Sequence, residues 1–462
     1  MNRRHFLRSS LLPLAGGVSL LGAGPAAAQS DYRALVCVFL FGGNDGLNTL
    51  PPVDADGYAR YAAVRRGLAI PRGQIVPLDT QLGLHPSLAP LKPIWDEGKL
   101  GALLNVGPLA RPLSLAQYQT WRDSGDTTRM PDKLFSHSDQ QILWQNGHTE
   151  TVQLRGGWGG RLMEAVGGSQ QVITFGGASR FGNGRLVQEL ALPGPGTRLE
   201  VQGYFEGNQH SARRAALTTL LGDGGAQTLG ARYAELQRDA IARSQSLGAV
   251  LAQAPAGGAA DADNPEISEA FKHLTGDHAS GISRQLYQVA KLIKQPGTVG
   301  GSRHLFFVSQ GGYDHHEVQL GRHAELLAQL GHALAAFWTA LKAIDAENQV
   351  TLFTESDFGR TLKPNASGGT DHAWGNQHFV MGGQVRGGRG YGSYPSLLIG
   401  GPDDAAVNQW EQQGRWIPNV SVAQYADKLI DWFQPGIANK SQILPTLPAF
   451  AGSAVDLAFM SA

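Results

Sequence analysis

The segment ALVCVFLF, residues 34–41, decides the fold class because it is continuously apolar and stops at Gly42-Gly43. A run of this length predicts a strand that is buried on both faces, as in a parallel sheet covered by helices. Further short apolar runs predict additional strands at Leu100–Val106, Gln171–Phe175, His304–Ser309, Gln349–Thr354 and Ser396–Ile399.

A long amphipathic helix separates two of these predicted strands. Its apolar residues recur at spacings of three, four and seven, which places them on one helical stripe. Because strand, helix and strand in succession form a βαβ unit, the sequence predicts an α/β fold with a mostly parallel central sheet between helices. The stripe consists of Leu320, Leu327, Leu330, Leu334, Phe337, Leu341 and Ile344.

The stretch from about residue 196 to residue 301 has a different pattern. Helical periodicity predicts helices at Ser211–Leu221, Leu229–Ala252 and Ile267–Lys294, and the segment Ala254–Pro265 is typical of a linker. Predicted strands on both sides of this stretch are needed for one sheet. We therefore expect a helical insertion or cap within a single domain that spans residues 29–462.

Composition restricts the classes of function. The 462 residues include 38 basic and 38 acidic side chains, so no polyanionic partner is indicated, and scattered basic residues give nucleic-acid binding little support. The single cysteine, Cys37, excludes an intrachain disulfide and a cysteine-based zinc cage. Beyond the N-terminus no run approaches the length of a membrane span, so we expect no stable membrane insertion of the mature chain.

The first 28 residues are typical of an export signal. Arginines lie within residues 3–8, an apolar stretch covers residues 11–21, and a small-residue cleavage site follows at residues 26–28. The run RRHFLR at residues 3–8 resembles the twin-arginine motif R-R-x-F-L-K, with Arg in place of the final Lys. We expect a signal peptide at residues 1–28, export of the folded protein by the twin-arginine (Tat) machinery, and a periplasmic or secreted location.

Acidic and histidine side chains collect where the predicted strands end. In open α/β sheets, ligands bind beyond the carboxyl ends of the strands. Carboxylate oxygens together with imidazole nitrogens suit Zn²⁺, Mn²⁺ or similar ions. In an extended segment Asp314 and His316 would point the same way, so they could share one ion. The clusters are GGNDG (42–46), GGYDHH (311–316), ESDFGR (355–360) and GTDHAWG (369–375).

Other interpretations of these residues are ordinary. Taken singly, an aspartate in a glycine-rich loop is more often a turn former than a ligand. The sequence lacks GxGxxG after the first strand, GxSxG and HExxH, which argues against a dinucleotide site, a hydrolase nucleophile elbow and a zincin-type helix. What favours a metal or anion site is the recurrence of such clusters at three strand ends and one further loop.

Several motifs, taken in order, resemble those of a widespread bacterial family of exported proteins with a domain of unknown function. The resemblance covers nearly the whole mature chain, and that family is similar, more distantly, to the alkaline phosphatase and sulfatase superfamily. It implies an alkaline-phosphatase-like fold with a metal site at the strand ends. The motifs are FLFGGNDGLNT (39–49), LGLHPSLAPL (82–91), SHSDQQ (136–141), GGYDHH, FTESDFGRT (353–361) and GTDHAWG.

The resemblance also implies roles for individual residues. Ser136 would fall near the superfamily's nucleophile, with His137 beside it, and Arg360 could hold an anionic substrate oxygen. Phe358 stands where the superfamily usually has a metal-binding histidine, so one of two metal sites would be incomplete. The residues that resemble metal ligands are Asp45, Asp314, His316, Asp357 and His372.

Two hypotheses about function follow. The first is an exported metal-dependent hydrolase or transferase that acts on a small phosphate, sulfate or phosphonate ester, with Zn, Mn, Mg or Ca as cofactor. The second is a non-catalytic exported protein of the same fold that binds a glycan or another envelope component. Phe358 favours the second hypothesis, whereas the five candidate ligands together favour the first. The sulfatase motif C/S-x-P-x-R is missing, so formylglycine chemistry is not expected.

Overall fold

The computed structural model describes residues 31–124, 129–150, 156–167, 171–175, 177–193, 199, 210–222, 229–251, 261–275 and 279–461. The predicted signal peptide and most of the predicted linker lie outside these residues. The strands are β1 (Arg33–Leu40), β2 (Val76–Pro77), β3 (Gly83–Leu84), β4 (Leu100–Gly107), β5 (Gln171–Thr174), β6 (Leu190–Ala191), β7 (Arg303–Gln310), β8 (Val350–Ser356), β9 (Asn376–Gly382), β10 (Gly390–Gly392) and β11 (Val420–Ser421).

The helices lie between these strands along the chain. They are α1 (Gly46–Thr49), α2 (Ala55–Arg65), α3 (Lys92–Asp96), α4 (Leu115–Ser124), α5 (His137–Asn146), α6 (Trp158–Val166), α7 (Ser211–Gly222), α8 (Leu229–Leu251), α9 (Pro265–Ala270), α10 (Gly281–Lys294), α11 (Gln319–Ala343), α12 (Val422–Phe433) and α13 (Lys440–Ile443). Among the described residues, no helix combines the length and hydropathy needed to cross a bilayer.

The central sheet confirms the predicted α/β class. In the described part of the chain it has nine strands in the order β10-β4-β9-β8-β1-β7-β5-β6, with β11 also paired to β4. Only β9 runs antiparallel to its neighbours, and the other pairings are parallel. The sheet is therefore mixed but mostly parallel, as the apolar runs predicted.

Strand β1 forms the centre of the sheet because its side chains suit burial on both faces. Seven of its eight residues are buried, and β7 and β8 pair with it on either side. Helices α5, α6 and α12 pack large side chains against these strands, with Trp144, Trp158 and Phe433 in one buried apolar cluster. Helix α10 packs on β7, and α11 packs on α10.

One predicted strand is absent. The predicted strand at Ser396–Ile399 is not formed, and the strand in this part of the chain is β10, which ends at Gly392, four residues before Ser396. Leu397 has a φ of +57°, which an extended strand does not tolerate, and prolines flank the run at Pro395 and Pro402. The apolar residues of this run are instead divided, since Leu397 is buried and Leu398 is 48 % exposed.

Candidate metal centre

Three strand-end loops meet at one edge of the sheet. Leu40, the last residue of β1, lies opposite Gln310 of β7 and Ser356 of β8. The three strands are parallel and end together, so the loops after them start side by side. This register brings together segments of the chain that are about 300 residues apart in sequence.

Arg360 joins these loops. Its side chain is 2 % exposed. Its guanidinium donates to Oδ1 of Asp314 at 2.5 Å and to four backbone carbonyl oxygens. A substrate contact, as the resemblance implied, is not part of this arrangement, because the guanidinium is engaged with acceptors of the protein itself. Its backbone acceptors are the carbonyl oxygens of Gly42, Gly43 (2.9 Å), Thr370 (3.0 Å) and Tyr313 (3.3 Å).

Three histidines face the same oxygen of Asp314. The Nε2 atoms of His316, His137 and His372 lie 3.0, 3.3 and 3.4 Å from Asp314 Oδ1. The Nε2 atoms of His316 and His372 are 2.9 Å from each other. His137, Asp314 and His372 also form the group of potential ligand atoms that lies within 4.8 Å among the described residues. The structure thus brings together three residues of the predicted ligand set and adds His137, which was predicted beside the nucleophile.

The other ring nitrogen of each histidine faces an oxygen acceptor. For His372 the acceptor is a carbonyl oxygen, which assigns the ring proton to Nδ1 and leaves Nε2 with a lone pair. For His137 and His316, a proton on Nδ1 is the placement that leaves Nε2 able to bind a cation. This is the arrangement that orients metal-binding histidines in proteins. The contacts are His137 Nδ1 to Asp357 Oδ2 at 2.7 Å, His316 Nδ1 to Asp371 Oδ1 at 3.2 Å and His372 Nδ1 to the Phe135 carbonyl oxygen at 2.7 Å.

With the ring protons on Nδ1, three Nε2 acceptors surround Asp314 Oδ1, and the donor to that oxygen is Arg360. Neutral rings would place the lone pairs of His316 Nε2 and His372 Nε2 against each other and against a carboxylate, which is repulsive. Either an extra proton or a cation between these atoms relieves the repulsion. His137 Nε2 is buried and has no hydrogen-bond partner, which is a further sign of an unsatisfied acceptor. Two or three imidazoles with one carboxylate are a donor set that fits Zn²⁺ or Mn²⁺.

The electrostatics of the cluster favour the cation-binding form of Asp314 and His372 and the protonated form of His137. Partial burial alone would raise the pKa of Asp314, but the hydrogen bond and charge of Arg360, with His137 and His316 nearby, lower it to about 2. Burial lowers the pKa of His372, which favours the neutral ring. The hydrogen bond to Asp357 raises the pKa of His137, against the opposing effect of its partial burial.

Asp357 orients the cluster from below. Its carboxylate is fully buried, and Oδ2 accepts from the Gly42 N–H at 3.2 Å and from Gln141 Nε2 at 2.9 Å as well as from His137. Its Oδ1 is buried without a hydrogen-bond partner. Asp357 therefore holds His137 in place through Oδ2.

The structure places Asp45 outside this cluster. Both of its oxygens are bound by Arg65, at 2.6 and 2.7 Å, and Gln319 also donates to it. Asp45 further caps α1 by accepting from the Asn48 N–H at 3.3 Å. Because the carboxylate is 2 % exposed and saturated with donors, its contacts are those of a structural ion pair, unlike the predicted ligand.

Ser136 lies next to the cluster in sequence but points elsewhere. It is the N-cap residue of α5, and its hydroxyl donates to Asp139 Oδ2 at 2.6 Å. The side chain of Asp139 also lies 3.4 Å from Lys133 Nζ. In this arrangement the Ser136 hydroxyl therefore contacts a carboxylate and not the neighbouring His137.

Phe358 forms an apolar wall of the cluster. Its ring centroid lies 4.5 Å from that of His372 and 4.7 Å from that of His137, and the side chain is 1 % exposed. A Cβ added at Gly43 would come within 2.4 Å of this ring, so Gly43 and Phe358 fit each other closely. Phe358 therefore supplies an apolar contact, and no ligand atom, on this side of His137 and His372.

A surface cavity shares a loop with the cluster. Its volume is about 680 Å³, and its lining includes the exposed cations Arg66 and Lys363 but no acidic residue. Asn365, also in the lining, donates to the His316 carbonyl oxygen at 2.9 Å and to Asp371 at 3.3 Å. The cavity therefore has a positive electrostatic character and is connected to the histidine cluster through residues 363–372.

Sequence reasoning missed the residues that orient the cluster. Gln141 and Asp371 lie inside quoted motifs, so motif membership could have suggested them. Phe135 acts through its backbone carbonyl, and its φ of +74° is a conformation that only the fold reveals. Arg415 stacks over the Phe135 ring at 4.7 Å and donates to the His372 carbonyl oxygen at 3.0 Å.

These observations define an α/β protein with a histidine–carboxylate cluster at the carboxyl ends of parallel strands. The chain belongs to the family described as "Protein of unknown function (DUF1501)", which matches residues 32–398. This agrees with the resemblance noted in the sequence. No curated protein matches the chain.

Similar solved structures have low sequence identity. The C-terminal periplasmic domain of EcEptC from Escherichia coli is 12 % identical, with 77 % of this chain and 74 % of that chain covered and a TM-score of 0.29. Ps i-CgsB is 8 % identical, with coverage of 80 % and 70 % and a TM-score of 0.30. Its complex with k-i-k-neocarrahexaose is 9 % identical, with coverage of 87 % and 77 % and a TM-score of 0.28.

Proposed function

We propose that the protein is an exported, metal-dependent enzyme that hydrolyses or transfers phosphate, sulfate or phosphonate esters. The observation that carries the proposal is the convergence of three Nε2 lone pairs on one oxygen of Asp314. His137, His316, His372 and Asp314 would hold the divalent cation. A cation bound there would act as a Lewis acid on an ester oxygen.

The surrounding residues have defined parts in this proposal. Asp357, Asp371 and the Phe135 carbonyl fix the ring tautomers, so that each Nε2 stays an acceptor directed into the site. Arg360 keeps Asp314 ionised and fixed. The cavity beside the loop 363–369 would receive the remainder of an anionic substrate, because Arg66 and Lys363 are not offset by any acid in its lining.

The choice of cation follows from the donor set. Imidazole nitrogens in the majority favour Zn²⁺ or Mn²⁺ over Mg²⁺ and Ca²⁺, which prefer all-oxygen surroundings. All four ions nevertheless belong in the assay, since each is among the cofactors that the sequence predicts.

Turnover tests this proposal. The purified mature protein should cleave at least one aryl phosphate, phosphodiester, phosphonate or aryl sulfate when supplied with one of these ions. Asp314→Asn and His372→Ala should each lower kcat/KM by at least roughly 100-fold, because they remove proposed ligands. His210→Asn is the matched control, since His210 opens α7 and makes none of the cluster's contacts. A rate that survives Asp314→Asn would contradict the proposal.

A second candidate is a non-catalytic binder of an anionic glycan or another envelope component. Two observations favour it: the Ser136 hydroxyl is hydrogen-bonded to Asp139, and Arg360 is engaged by protein acceptors. Metal-loaded protein that binds a sulfated or phosphorylated glycan but turns over no ester would support this candidate. Loss of that binding in Lys363→Glu would place the ligand in the cavity.

Export is a separate part of the proposal. Arg3 and Arg4 lie outside the described residues, and their role rests on the twin-arginine motif in the sequence. Replacing both by Lys should leave the precursor in the cytoplasm with its signal peptide uncleaved, as cell fractionation would show. Normal export of that variant would exclude the Tat route.

A further inference from the structure

Helix α8 carries two apolar stripes, and among the residues that the structure describes only one of them is covered. The first stripe packs inside the α7–α8 hairpin, where Ala234 and Ile241 are buried together with Leu221 of α7. The second stripe consists of Leu229, Tyr233, Leu236 and Ala240 on the outer face, followed one turn and more later by Leu247. Leu229 is 88 %, Tyr233 62 % and Leu236 51 % exposed, whereas Leu247 is 3 % exposed.

The uncovered half of this stripe has the spacing of a helix-pairing seam. Its members follow one another at intervals of four, three and four residues, which keeps them on one line along a helix that packs against another helix. Single exposed apolar residues are common on proteins, but three large ones in such a line form a contiguous patch. The patch predicts a partner helix.

We propose that two copies of this chain pair through α8 in an antiparallel orientation. A two-fold axis between Tyr233 and Leu236 places Tyr233 of each copy against Leu236 of the second copy, and Leu229 against Ala240. In that register the flanking residue Arg232 lies opposite Asp239 of the second copy, and the symmetry repeats this contact. The apolar seam and the flanking charges of one copy therefore match those of the second copy.

The charges favour a second copy over a lipid surface. Arg232 is followed on the same exposed helix by Glu235 and Asp239, so both signs lie beside the stripe. A helix that lies on an anionic membrane is typically rich in basic residues along its polar face. The internal contact of Arg232 with Glu235 at 2.5 Å is between exposed side chains, so it costs little to exchange for the intermolecular one.

Charge reversal tests the pairing. The mature protein should sediment as a dimer, and Arg232→Glu or Asp239→Arg should each raise the dimer dissociation constant roughly tenfold, because symmetry counts the repulsion twice. The double variant Arg232→Glu/Asp239→Arg should restore the dimer. Arg213→Glu, an exposed reversal on α7, is the matched control and should leave the dissociation constant unchanged.

Cross-linking tests the register. In Leu229→Cys/Ala240→Cys the two new thiols are about 16 Å apart along one helix, too far for an internal disulfide, but they face each other across the proposed axis. Mild oxidation should give a covalent dimer on denaturing electrophoresis, while Leu229→Cys/Glu235→Cys should not. A protein that stays monomeric at high micromolar concentration overturns the proposal, as does a dimer indifferent to both reversals. Sedimentation of a monomer with anionic vesicles would assign the stripe to lipid instead.

Discussion

Two aspartates that follow parallel strands in glycine-rich loops have opposite surroundings. Asp45 follows β1 and is held by Arg65 through both carboxylate oxygens, with 2 % of its side chain exposed. Asp314 follows β7 and is held by Arg360, and its contacts with Arg360 and the histidines are all to Oδ1, with 45 % of its side chain exposed. In sequence the two loops, GGND and GGYD, are nearly the same.

The difference lies in how the arginine approaches the carboxylate. The bidentate contact with Arg65 neutralises Asp45 and occupies its acceptor sites, so no lone pair remains to bind a ligand. The contact of Arg360 with a single oxygen keeps Asp314 ionised, and the three histidine Nε2 atoms lie around that same oxygen. The position after a strand therefore marks a candidate, but the geometry of the counter-ion decides between structure and chemistry.

The largest effect is expected at Asp45. Asp45→Ala would leave Arg65 buried without its counter-ion, and losing one partner of a buried pair costs about 3–5 kcal/mol of folding free energy. Urea unfolding followed by circular dichroism measures this loss. The double variant Asp45→Leu/Arg65→Met should be much less destabilised, and equal destabilisation of both variants would contradict the ion-pair interpretation.

Asp314 should give the opposite result. Asp314→Asn keeps the shape of the side chain and an acceptor for Arg360, so the melting temperature without added metal should change little. Wild-type protein should gain about 2.7 kcal/mol when Zn²⁺ or Mn²⁺ is present at 100 times its Kd, and the variant should gain nothing. Thermal scans with and without chelator make the comparison, and a variant that responds like wild type would remove Asp314 from the site.

Glu355 extends the comparison to a buried carboxyl without an arginine. Burial raises its pKa from the ordinary 4.5 to about 8. Between these pH values the folded protein holds one proton more than the unfolded chain, so the free energy of unfolding should fall by about 1.4 kcal/mol per pH unit as pH rises. Glu355→Gln should remove this slope between pH 5 and 8, whereas exposed Glu325→Gln should retain it. An unchanged slope in Glu355→Gln would mean that the carboxyl is not the source.

The smallest effect is expected for an aspartate–arginine pair that is exposed to solvent. Arg389 and Asp456 are 2.9 Å apart, with 58 % and 55 % of their side chains exposed. Asp456→Asn should change the free energy of unfolding by no more than about 0.5 kcal/mol, and salt should cancel even that. A loss comparable to that of Asp45→Ala would show that burial is not what separates these aspartate–arginine pairs.

The sequence was sufficient for features that depend on local pattern. The apolar run at residues 34–41 predicted β1, and the stripe between residues 320 and 344 predicted α11, because burial on two faces and on one face leaves different periodicities. The two ends of the stripe depart from it, since Leu320 is 37 % exposed in the first turn and Ile344 is the half-buried C-cap residue after the helix. The parallel order of β1, β7 and β8 then put Asp314, Asp357 and His372 near one edge.

The roles of charged partners could not be read in the same way. Arg65 is 20 residues from Asp45 and Arg360 is 46 residues from Asp314, and no periodic pattern connects them. His137 reaches the cluster only because α5 begins beside β8, and Phe135 contributes a backbone atom that any residue would supply. Which oxygen is free and which is bound depends on such tertiary contacts.

Arg360 also bears on how the site comes into existence. Its acceptors include Gly42 and Gly43, 318 and 317 residues away along the chain, so these hydrogen bonds close a loop of more than 300 residues. Contacts of such separation form late, after the local helices and hairpins. During refolding, the capacity to bind a cation should therefore appear after helical structure has been regained, and a nascent chain would lack that capacity until His372 had been synthesised.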